Sequence, residues 1–308
     1  MSDRALVIGE ALVDVVHAAD GTITEYPGGS PANVALGLAR LGRRAELAAW
    51  FAKDERGELL RAHLQDSKVQ IVPGSDHAER TSTANAHLAG NGGATYTFDL
   101  TSRVPEVVLD DSLAVLHTGS IAATLQPSGA AIAELCAAAR EYATISYDPN
   151  ARPTIMGEPE DVRADIEALV AAADVVKVSD EDLTWLYPER SVEDSLQHWA
   201  AAGPALVVLT RGGEGSTAIT SSSVEVSVAA PRVDVVDTVG AGDAFMAGLL
   251  DGLWSAGLLG ADRRAALHAV DASTVHDAMA RAARIAAIVV SRAGANPPTS
   301  TELENHSE

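Results

Sequence analysis

Cysteine, aromatic residues and long apolar runs are scarce in this sequence, and each scarcity excludes a class of protein. Cys136 is the only cysteine among 308 residues, so the chain can form no internal disulfide. Its place in an alanine-rich segment of helical character indicates a buried apolar residue rather than a nucleophile. No run approaches the roughly 20 apolar residues of a membrane-spanning helix, and the N-terminus lacks the long apolar core of a signal peptide. These absences predict a cytoplasmic protein.

Basic residues are also scarce. The chain has 22 lysine and arginine residues against 43 aspartate and glutamate residues, which gives a formal net charge of -21. Nucleic acids and anionic membranes bind basic surfaces, so neither is expected as a partner. A ligand that carries phosphate would have to be held by local features against this unfavourable overall field. The nine histidines show no close ligand spacing, so no zinc site is predicted.

What the chain does contain is an alternation of short apolar runs and longer helical segments. Apolar residues make up 47% of the sequence, enough for a substantial core. The runs of strand length are residues 5–8, 45–49, 115–116, 143–147, 175–178 and 206–209. The helical segments are residues 32–41, 55–65, 128–142, 161–172, 191–201 and 278–291. Strands that alternate with helices predict a parallel sheet covered on both faces, with ligands at the carboxyl ends of its strands.

Two segments break this alternation. Residues 11–26 and 83–100 lack helical periodicity and carry turn signals, Asp20-Gly21 in the first and Asn91-Gly92-Gly93 in the second. The second segment has the pattern of a β-hairpin around its turn. Two β excursions of this kind can pair into a small separate sheet that covers an active site as a lid. The alternative is that they form edge strands of the main sheet.

The most informative stretch is a glycine-rich turn near the C-terminal end, Asp237-Thr238-Val239-Gly240-Ala241-Gly242-Asp243, which runs directly into a helical segment. A turn of this kind leaves backbone N–H groups without intrahelical partners, all directed at one place where an anion can bind. Asp243 stands in the first helical turn, where the helix dipole favours its ionised form and makes it a candidate base. An anion site beside a carboxylate suits phosphoryl transfer to a hydroxyl.

Two further glycine-rich stretches carry functional signals. Gly28-Gly29-Ser30-Pro31-Ala32-Asn33 is a glycine pair at a helix start, and Asn33 is expected to have a polar partner because asparagine is unfavourable inside a helix. Thr210-Arg211-Gly212-Gly213-Glu214-Gly215 follows the run 206–209, where the backbone can approach a nucleotide closely. A glycine pair without G-x-G-x-x-G spacing makes a nucleotide-binding dehydrogenase the less favoured interpretation.

Together these residues resemble the PfkB, or ribokinase-like, family of carbohydrate kinases. The G-G-x-x-A-N motif at 28–33 and the D-T-x-G-A-G-D motif at 237–243 have the order and spacing of the family's two hallmarks. The likeness extends from Gly9-Glu10 to Ala293-Gly294-Ala295. The segments most similar to the fructokinase-type branch are Gly9-Glu10-Ala11-Leu12-Val13-Asp14, Pro31-Ala32-Asn33-Val34-Ala35 and Ser146-Tyr147-Asp148-Pro149-Asn150-Ala151-Arg152, together with Lys177.

The resemblance implies a fold and a domain organisation. The fold would be α/β, a ribokinase-like three-layer αβα sandwich with a mainly parallel central sheet and a small β lid. One kinase domain would span residues 1–296, with lid segments at about 11–26 and 83–100, and residues 297–308 would form a loose polar tail. A lid sheet with a free edge invites pairing with a second copy, so a homodimer through the lid is a further expectation.

The resemblance also assigns roles to residues. Asp243 matches the catalytic base, and the backbone of Gly240, Ala241 and Gly242 matches the anion hole that stabilises the transferring phosphoryl group. The family's contacts to sugar hydroxyls are matched by Asp14, Gly28, Gly29 and Asn33. The family's contacts to ATP are matched by Lys177, Thr210, Arg211, Gly212 and Gly215. Asp237 matches a ligand of the activating monovalent cation, which is expected to be K⁺.

One motif departs from the family pattern. The magnesium-associated N-x-x-E reads Ser179-Asp180-Glu181-Asp182, with serine for asparagine and aspartate for glutamate. Asp182 keeps a carboxylate, shorter by one methylene, and is expected to act on Mg²⁺ through water. The alternative is that the acidic cluster is only a helix N-terminus whose charges suit the helix dipole.

The sequence therefore predicts ATP-dependent phosphorylation of a sugar primary hydroxyl, with fructose as the leading substrate. The alternatives are 2-keto-3-deoxygluconate, ribose or another sugar or nucleoside, and, more remotely, a non-catalytic sensor of sugar or nucleotide on the same fold. An acidic sugar would need a cation in the pocket. Asp99 at the end of the lid hairpin favours a neutral sugar, whereas Arg103 and Arg152 leave the question open.

Overall fold

The chain folds around two β-sheets. The computed structural model describes residues 3–88 and 94–305. The strands are β1 (Arg4–Ile8), β2 (Leu12–His17), β3 (Ile23–Gly28), β4 (Arg44–Ala48), β5 (Gln70–Ile71), β6 (Thr83–Leu88), β7 (Ala94–Asp99), β8 (Leu113–Gly119), β9 (Thr144–Asp148), β10 (Val175–Ser179), β11 (Leu206–Thr210), β12 (Ser216–Thr220) and β13 (Glu225–Val228). The α-helices are α1 (Ser30–Arg40), α2 (Glu55–Asp66), α3 (Ser128–Ala139), α4 (Pro153–Met156), α5 (Pro159–Ala172), α6 (Asp180–Leu186), α7 (Val192–Ala200), α8 (Ala241–Ser255), α9 (Arg264–His268), α10 (Ala272–Val290) and α11 (Ser300–Asn305). In the described part of the chain, no helix is long and apolar enough to cross a membrane.

The larger sheet is mainly parallel, as predicted. Its strand order is β13-β12-β11-β10-β9-β8-β1-β4-β5, and β12 runs antiparallel to both of its neighbours. From β1 the chain adds strands first on one side, through β4 and β5, and then on the other, from β8 to β11. The direction of winding therefore reverses between β1 and β8. A crevice opens at such a point outside the carboxyl ends of the strands, where open α/β sheets bind their ligands.

Alternation along the strands feeds two hydrophobic cores, one on each face of the larger sheet. In β1, Ala5 and Val7 join the core that contains α1, α2, α8 and α10, whereas Leu6 and Ile8 join the core that contains α3, α5, α6 and α7. All four side chains are at most 1% exposed. Helices on both faces of one sheet make three layers, so the predicted αβα sandwich is confirmed.

The smaller sheet contains both β excursions. Its strand order is β3-β2-β6-β7, so the two segments pair with each other instead of extending the larger sheet. One row of paired residues crosses it as Tyr26-Asp14-Ala84-Phe98, and these side chains share a face. The opposite face carries Val13 and Val15, which are buried in the core of α1 and α2. The turn predicted at Asn91-Gly92-Gly93 lies outside the described residues.

The C-terminal segment is not the loose tail that the sequence predicts. Residues Ser300–Asn305 form α11, and Leu303 is 3% exposed because it packs with Leu41 and Ile288 in a third apolar cluster. Thr299 and Glu302 hold the helix start, since each side chain accepts a hydrogen bond from the backbone N–H of the other. One leucine in a polar segment creates no helical periodicity, so the only sequence signal for this helix was the Thr299-x-x-Glu302 capping pattern at its start.

Candidate active site

The C-terminal glycine-rich turn positions Asp243 at the start of a helix. Gly240 precedes α8 in the left-handed conformation, with φ 76° and ψ 3°. Glycine is required here on two grounds, because a Cβ on Gly240 would also lie 2.5 Å from the Cβ of Ala295. The helix start directs backbone N–H groups toward one place. Of the predicted anion-hole donors, the N–H of Ala241 donates over 3.2 Å to the carbonyl of Thr238.

Both oxygens of Asp243 are held by the N-terminal glycine-rich turn. The hydroxyl of Ser30 donates to Oδ1 over 2.6 Å, and Nδ2 of Asn33 donates to Oδ2 over 2.8 Å. Asn33 thus has the polar partner that its position in a helix requires. Ser30 was missed by the sequence reasoning, although it lies in the same motif, because a serine at a helix start is ordinarily a cap. The structure therefore joins the two glycine-rich turns through one carboxylate.

Burial makes Asp243 a stronger base. The residue is 7% exposed, and burial raises the pKa of its carboxyl. The hydrogen bonds from Ser30 and Asn33 and the charges of Lys177 and Arg152 oppose that rise. A carboxylate with a raised pKa accepts a proton more readily, and the opposing cations favour its ionised form.

Asp14 projects from the smaller sheet and is matched to a glycine. Burial raises the pKa of Asp14 to about 6, and the charge of Arg152 opposes this shift. A Cβ on Gly28, in the neighbouring strand, would lie 2.3 Å from Oδ2 of Asp14. The carboxylate thus fills the space that a side chain at position 28 would need. The first glycine of the motif is therefore a condition for the placement of Asp14.

Glu10 is a site residue to which the sequence reasoning gave no role. It follows β1 at the crevice, and its Oε2 accepts a hydrogen bond from the N–H of Ala122 over 3.1 Å. Burial raises the pKa of Glu10 to about 6, against hydrogen bonds and the charge of Arg152. Gly29 passes close by, since its φ is 108° and a Cβ there would lie 2.5 Å from the carbonyl oxygen of Glu10. The only signal in the sequence was the quoted Gly9-Glu10 pair.

A buried ion pair lies beneath the C-terminal turn. Nζ of Lys177 is 3.0 Å from Oδ2 of Asp148, and the two side chains are 4% and 1% exposed. A Cβ on Gly242 would lie 3.3 Å from Nζ, so the ammonium group lies against this glycine. Burial raises the pKa of Asp148 to about 6, and the charge of Lys177 opposes the shift. Lys177, predicted to contact ATP, is thus closed off below the turn.

The third glycine-rich stretch forms an open turn at the carboxyl end of β11. Thr210 pairs with Ser179 at the ends of adjacent strands, and residues Gly212–Glu214 form a 3₁₀ turn. Nothing lies within 4 Å of a Cβ placed on Gly212, so the backbone here is accessible. The guanidinium of Arg211 is held by Glu193, since its Nη2 is 2.8 Å from Oε1 of that residue. Gly215 closes the turn, because a Cβ there would lie 2.3 Å from the carbonyl oxygen of Val228.

Asp182 has a structural role at the start of α6. Its Oδ2 accepts the N–H of Ser179 over 3.1 Å, the Ser179 hydroxyl accepts the N–H of Asp182 over 3.0 Å, and the two form a capping box. Its Oδ1 accepts the N–H of Ala151 over 2.8 Å. Each carboxylate oxygen keeps a second lone pair beyond these bonds. Within residues 3–88 and 94–305, no group of three or more histidine, cysteine, aspartate or glutamate side chains is arranged to hold a metal ion.

Asp237 links two loops at the entrance to the C-terminal turn. Its Oδ1 accepts the N–H of Val239 over 3.0 Å, and its Oδ2 accepts the N–H of Gly294 over 2.8 Å. These backbone hydrogen bonds lower the pKa of the carboxyl. The segment before α8, which contains the predicted cation ligand Asp237, and the segment after α10 are thereby fixed to each other.

Asp99 and Arg152, which the sequence reasoning weighed against each other, differ in their position relative to the site. Asp99 is paired with Thr83 in the smaller sheet and is on the face opposite Asp14; Oδ1 is 2.6 Å from Nη2 of Arg80, which neutralises it. The argument for a neutral sugar from Asp99 is therefore wrong. Arg152, in contrast, lowers the pKa of Asp14, Glu10 and Asp243 through its charge, and so lies near all three.

Known proteins share both the sequence pattern and the fold described above. The family model of pfkB family carbohydrate kinases matches residues 2–302. A fructokinase of Klebsiella pneumoniae is 34% identical over 267 residues, which cover 84% of this chain and 87% of the relative. The crystal structure of a Vibrio cholerae O395 fructokinase with bound fructose, ADP and calcium has a TM-score of 0.81 and 29% identity, and covers 100% of this chain and 99% of that chain. The structure of an aminoimidazole riboside kinase from Salmonella enterica with aminoimidazole riboside and an ATP analogue has a TM-score of 0.77 and 27% identity, and covers 98% of this chain and 99% of that chain.

Proposed function

Because this chain belongs to the pfkB family of carbohydrate kinases, we propose that it transfers the γ-phosphate of ATP to a primary hydroxyl of a sugar, with fructose as the leading substrate. The Klebsiella relative is a fructokinase, and the Vibrio structure holds fructose together with ADP. The observation that carries the proposal is the contact between the two glycine-rich turns, in which Ser30 and Asn33 hold the carboxylate of Asp243. One turn belongs to the sugar side and the other to the phosphoryl side.

Asp243 is the proposed general base. Its two oxygens are each fixed by one hydrogen bond, so the carboxylate has a set orientation and each oxygen keeps a lone pair for the attacking hydroxyl. It takes the proton from that hydroxyl as the oxygen attacks the γ-phosphate. The backbone N–H groups of Gly240 and Gly242, together with that of Ala241, which is shared with the carbonyl of Thr238, stabilise the negative charge on the transferring group. Catalysis is mostly positioning and electrostatics.

The sugar is proposed to lie between the smaller sheet and α1. Asp14 accepts hydrogen bonds from its hydroxyls, and the backbone at Gly28 and Gly29 approaches it closely because neither residue has a side chain. Asn33 orients the carboxylate of Asp243 and contacts the sugar hydroxyl that attacks the γ-phosphate. Asp14 supports this role because its carboxylate is half-buried and so is only partly screened by water.

The nucleotide and its ions are proposed to lie along the carboxyl ends of β10 and β11. The backbone of Thr210, Arg211, Gly212 and Gly215 forms the accessible turn there. Asp182 retains lone pairs that fit a role through metal-bound water, and Mg²⁺ when bound would offset the charge of the phosphates. Asp237 stands where K⁺ would bind at the loops around 237 and 294.

A coupled ADP-release assay tests the proposed function. The panel contains fructose, glucose, ribose, 2-keto-3-deoxygluconate and aminoimidazole riboside, each with and without K⁺ and with Mg²⁺ throughout. The expected result is the highest kcat/KM on fructose. Turnover on none of the sugars or nucleosides would overturn the proposal, and a preference for the acidic sugar would reassign the substrate to the chemistry that Arg152 favours.

Replacement of Asp243 by asparagine tests the base. The Asp243→Asn variant is expected to lose kcat by about 10³-fold, because the amide cannot accept the proton. ATP should still raise its Tm, and the Tm without ligand should not fall, since burial disfavours the charge that the variant removes. Near-native turnover in Asp243→Asn would show that another group is the base.

A second copy of the chain is the proposed protein partner. The face of the smaller sheet that carries Asp14 also carries Tyr26 and Tyr96, which are 53% and 58% exposed, and the rings of Tyr96 and Phe98 stack with centroids 6.4 Å apart. β7 forms an edge of that sheet within the described residues. Exposed aromatic side chains next to an unpaired edge suit a homodimer in which the two smaller sheets pack together.

A further inference from the structure

The ion pair of Lys177 and Asp148 is almost completely buried, with side chains 4% and 1% exposed. A buried pair gains little net stability, because removing two charges from water offsets most of their attraction. Within residues 3–88 and 94–305, Asp148 provides the only carboxylate oxygen within 4 Å of the Lys177 ammonium. An ammonium group has three donors, so one carboxylate oxygen leaves most of its capacity directed elsewhere.

The Lys177 ammonium group, with its other hydrogen-bond donors, lies against the C-terminal glycine-rich turn. Gly242 is so close to Nζ of Lys177 that a Cβ there would lie 3.3 Å away. Burial lowers the pKa of Lys177, but the carboxylates of Asp148, Asp182 and Asp243 outweigh burial and the net shift is upward. The lysine is therefore charged at every pH at which a kinase of this kind works, and its charge is sealed from solvent screening.

We propose that Lys177, anchored by Asp148, is a positioning residue that fixes a buried positive charge beneath Gly242, where it holds Asp243 in its charged form and supports the negative charge of the transferring phosphoryl group. The inference rests on the proposed kinase function and adds to it. It assigns Lys177 a role exerted through the turn, in place of the direct ATP contact implied by the family resemblance.

The other charged groups around Asp243 differ from Lys177 in exposure. Arg152, on the loop after β9, faces it with an exposed guanidinium group whose charge water screens, and Asp148 on β9 repels it. The contacts from α1 are the uncharged side chains of Ser30 and Asn33. Lys177 is thus the one fully buried cation acting on the base among the described residues.

A cycle of neutral replacements separates this role from a structural one. Lys177→Met leaves the Asp148 carboxylate buried without its partner, and Asp148→Asn leaves the ammonium buried without its partner, so each single variant should have a lower Tm. The double variant removes both charges, and its Tm should return toward that of the wild type. These effects on Tm follow from burial alone and do not test the proposal.

Turnover and its pH dependence carry the test. Lys177→Met is expected to lower kcat about 100-fold, the loss typical of one stabilising group at a developing anion. The acid limb of its kcat profile should move to higher pH, because Asp243 without the cation takes up a proton more readily. Asp148→Asn should lose less turnover than Lys177→Met because it keeps the cation. The double variant should regain Tm but neither turnover nor the wild-type acid limb.

An ion pair with a buried carboxylate, at the amino end of β10 and so opposite the site, supplies the control. Asp174, which precedes β10 and is 1% exposed, pairs with Arg264 over 2.7 Å. Asp174→Asn should lower Tm with the acid limb unchanged. Wild-type turnover on a sugar tests the proposed function by itself. Given that activity, a double variant with wild-type kcat and an unmoved acid limb would overturn the role of Lys177 and leave the kinase assignment intact.

Discussion

At position 28 the carboxylate of Asp14 fills the space that a side chain would need, so only the hydrogen of a glycine fits there. A Cβ there would lie 2.3 Å from Oδ2, far inside contact distance, so alanine must displace the acid or open the strand pair β2–β3. At the scale of single residues, the site depends as much on the absence of side chains at Gly28, Gly240 and Gly242 as on the presence of polar ones.

Gly28→Ala is therefore expected to act on sugar binding. We expect KM for the sugar to rise about tenfold, which corresponds to about 1.4 kcal/mol of lost binding, with a smaller change in kcat. Steady-state kinetics with the sugar varied at saturating ATP gives the measurement. If displacement of Asp14 is the cause, the double variant Gly28→Ala/Asp14→Ala will match Asp14→Ala alone. Additive losses would refute that cause.

The residue types of the site could largely be predicted from the sequence, but their partners could not. Asp243 and the glycines were predicted because their motif is local. Ser30, which bonds Asp243 across 213 positions, was missed because no local pattern encodes a contact of that span. Glu10 follows β1 and Asp148 is the last residue of β9; carboxylates at strand ends are often only solvated, and the burial of these two becomes visible only in three dimensions.

At the scale of elements, the sequence predicted the type of most long helices and buried strands and missed the short ones. The apolar run at 115–116 proves to be part of a longer strand, β8 (Leu113–Gly119). Its polar residues His117 and Thr118 are also buried, so the apolar run in the sequence is shorter than the strand. β5 has two residues and gives no periodicity. The smaller sheet was predicted because its two segments lack helical periodicity and carry turn signals.

The two faces of β7 allow a matched test of the homodimer. Tyr96 lies on the face of Asp14, and Thr97 lies on the opposite face of the same strand. Tyr96→Lys is expected to convert a dimer into a monomer, because it places charge in the apolar contact, whereas Thr97→Lys should leave the dimer intact. Light scattering behind size exclusion gives both masses. A wild-type monomer, or a dimer that persists in Tyr96→Lys, would rule out this interface.

At the scale of the whole molecule, the buried carboxylates of the site determine how the stability of the fold depends on pH. Glu10, Asp14 and Asp148 each have a pKa of about 6, raised above their ordinary values by burial. Between about pH 4 and pH 6 the folded state thus binds more protons at these groups than the unfolded state does, and stability rises as pH falls through that window. Buried His117, with a pKa lowered by burial to about 3, acts in the opposite direction.

The enzyme is accordingly expected to gain stability and lose activity on mild acidification. The three carboxylates outnumber the two histidines whose pKa is lowered by burial, His117 and His63, and protonation also relieves a net charge of -21, so the free energy of unfolding should rise as the pH falls from about 6 to about 5. On acidification kcat should also fall, because Asp243 gains its proton. Urea unfolding at low and at high salt gives the measurement, because salt screens the net charge but not the buried groups. A constant or falling free energy at high salt would contradict this assignment.

The grip of Ser30 and Asn33 on Asp243 has a consequence for how the protein comes into being. The two holders leave the ribosome some 200 residues before the carboxylate that they orient. A nascent or truncated chain that ends before α8 therefore lacks the proposed base and the glycine-rich turn beside it, and a fragment that begins after α1 lacks the two side chains that orient the carboxylate. We therefore expect partial products of synthesis or proteolysis to transfer no phosphate from ATP.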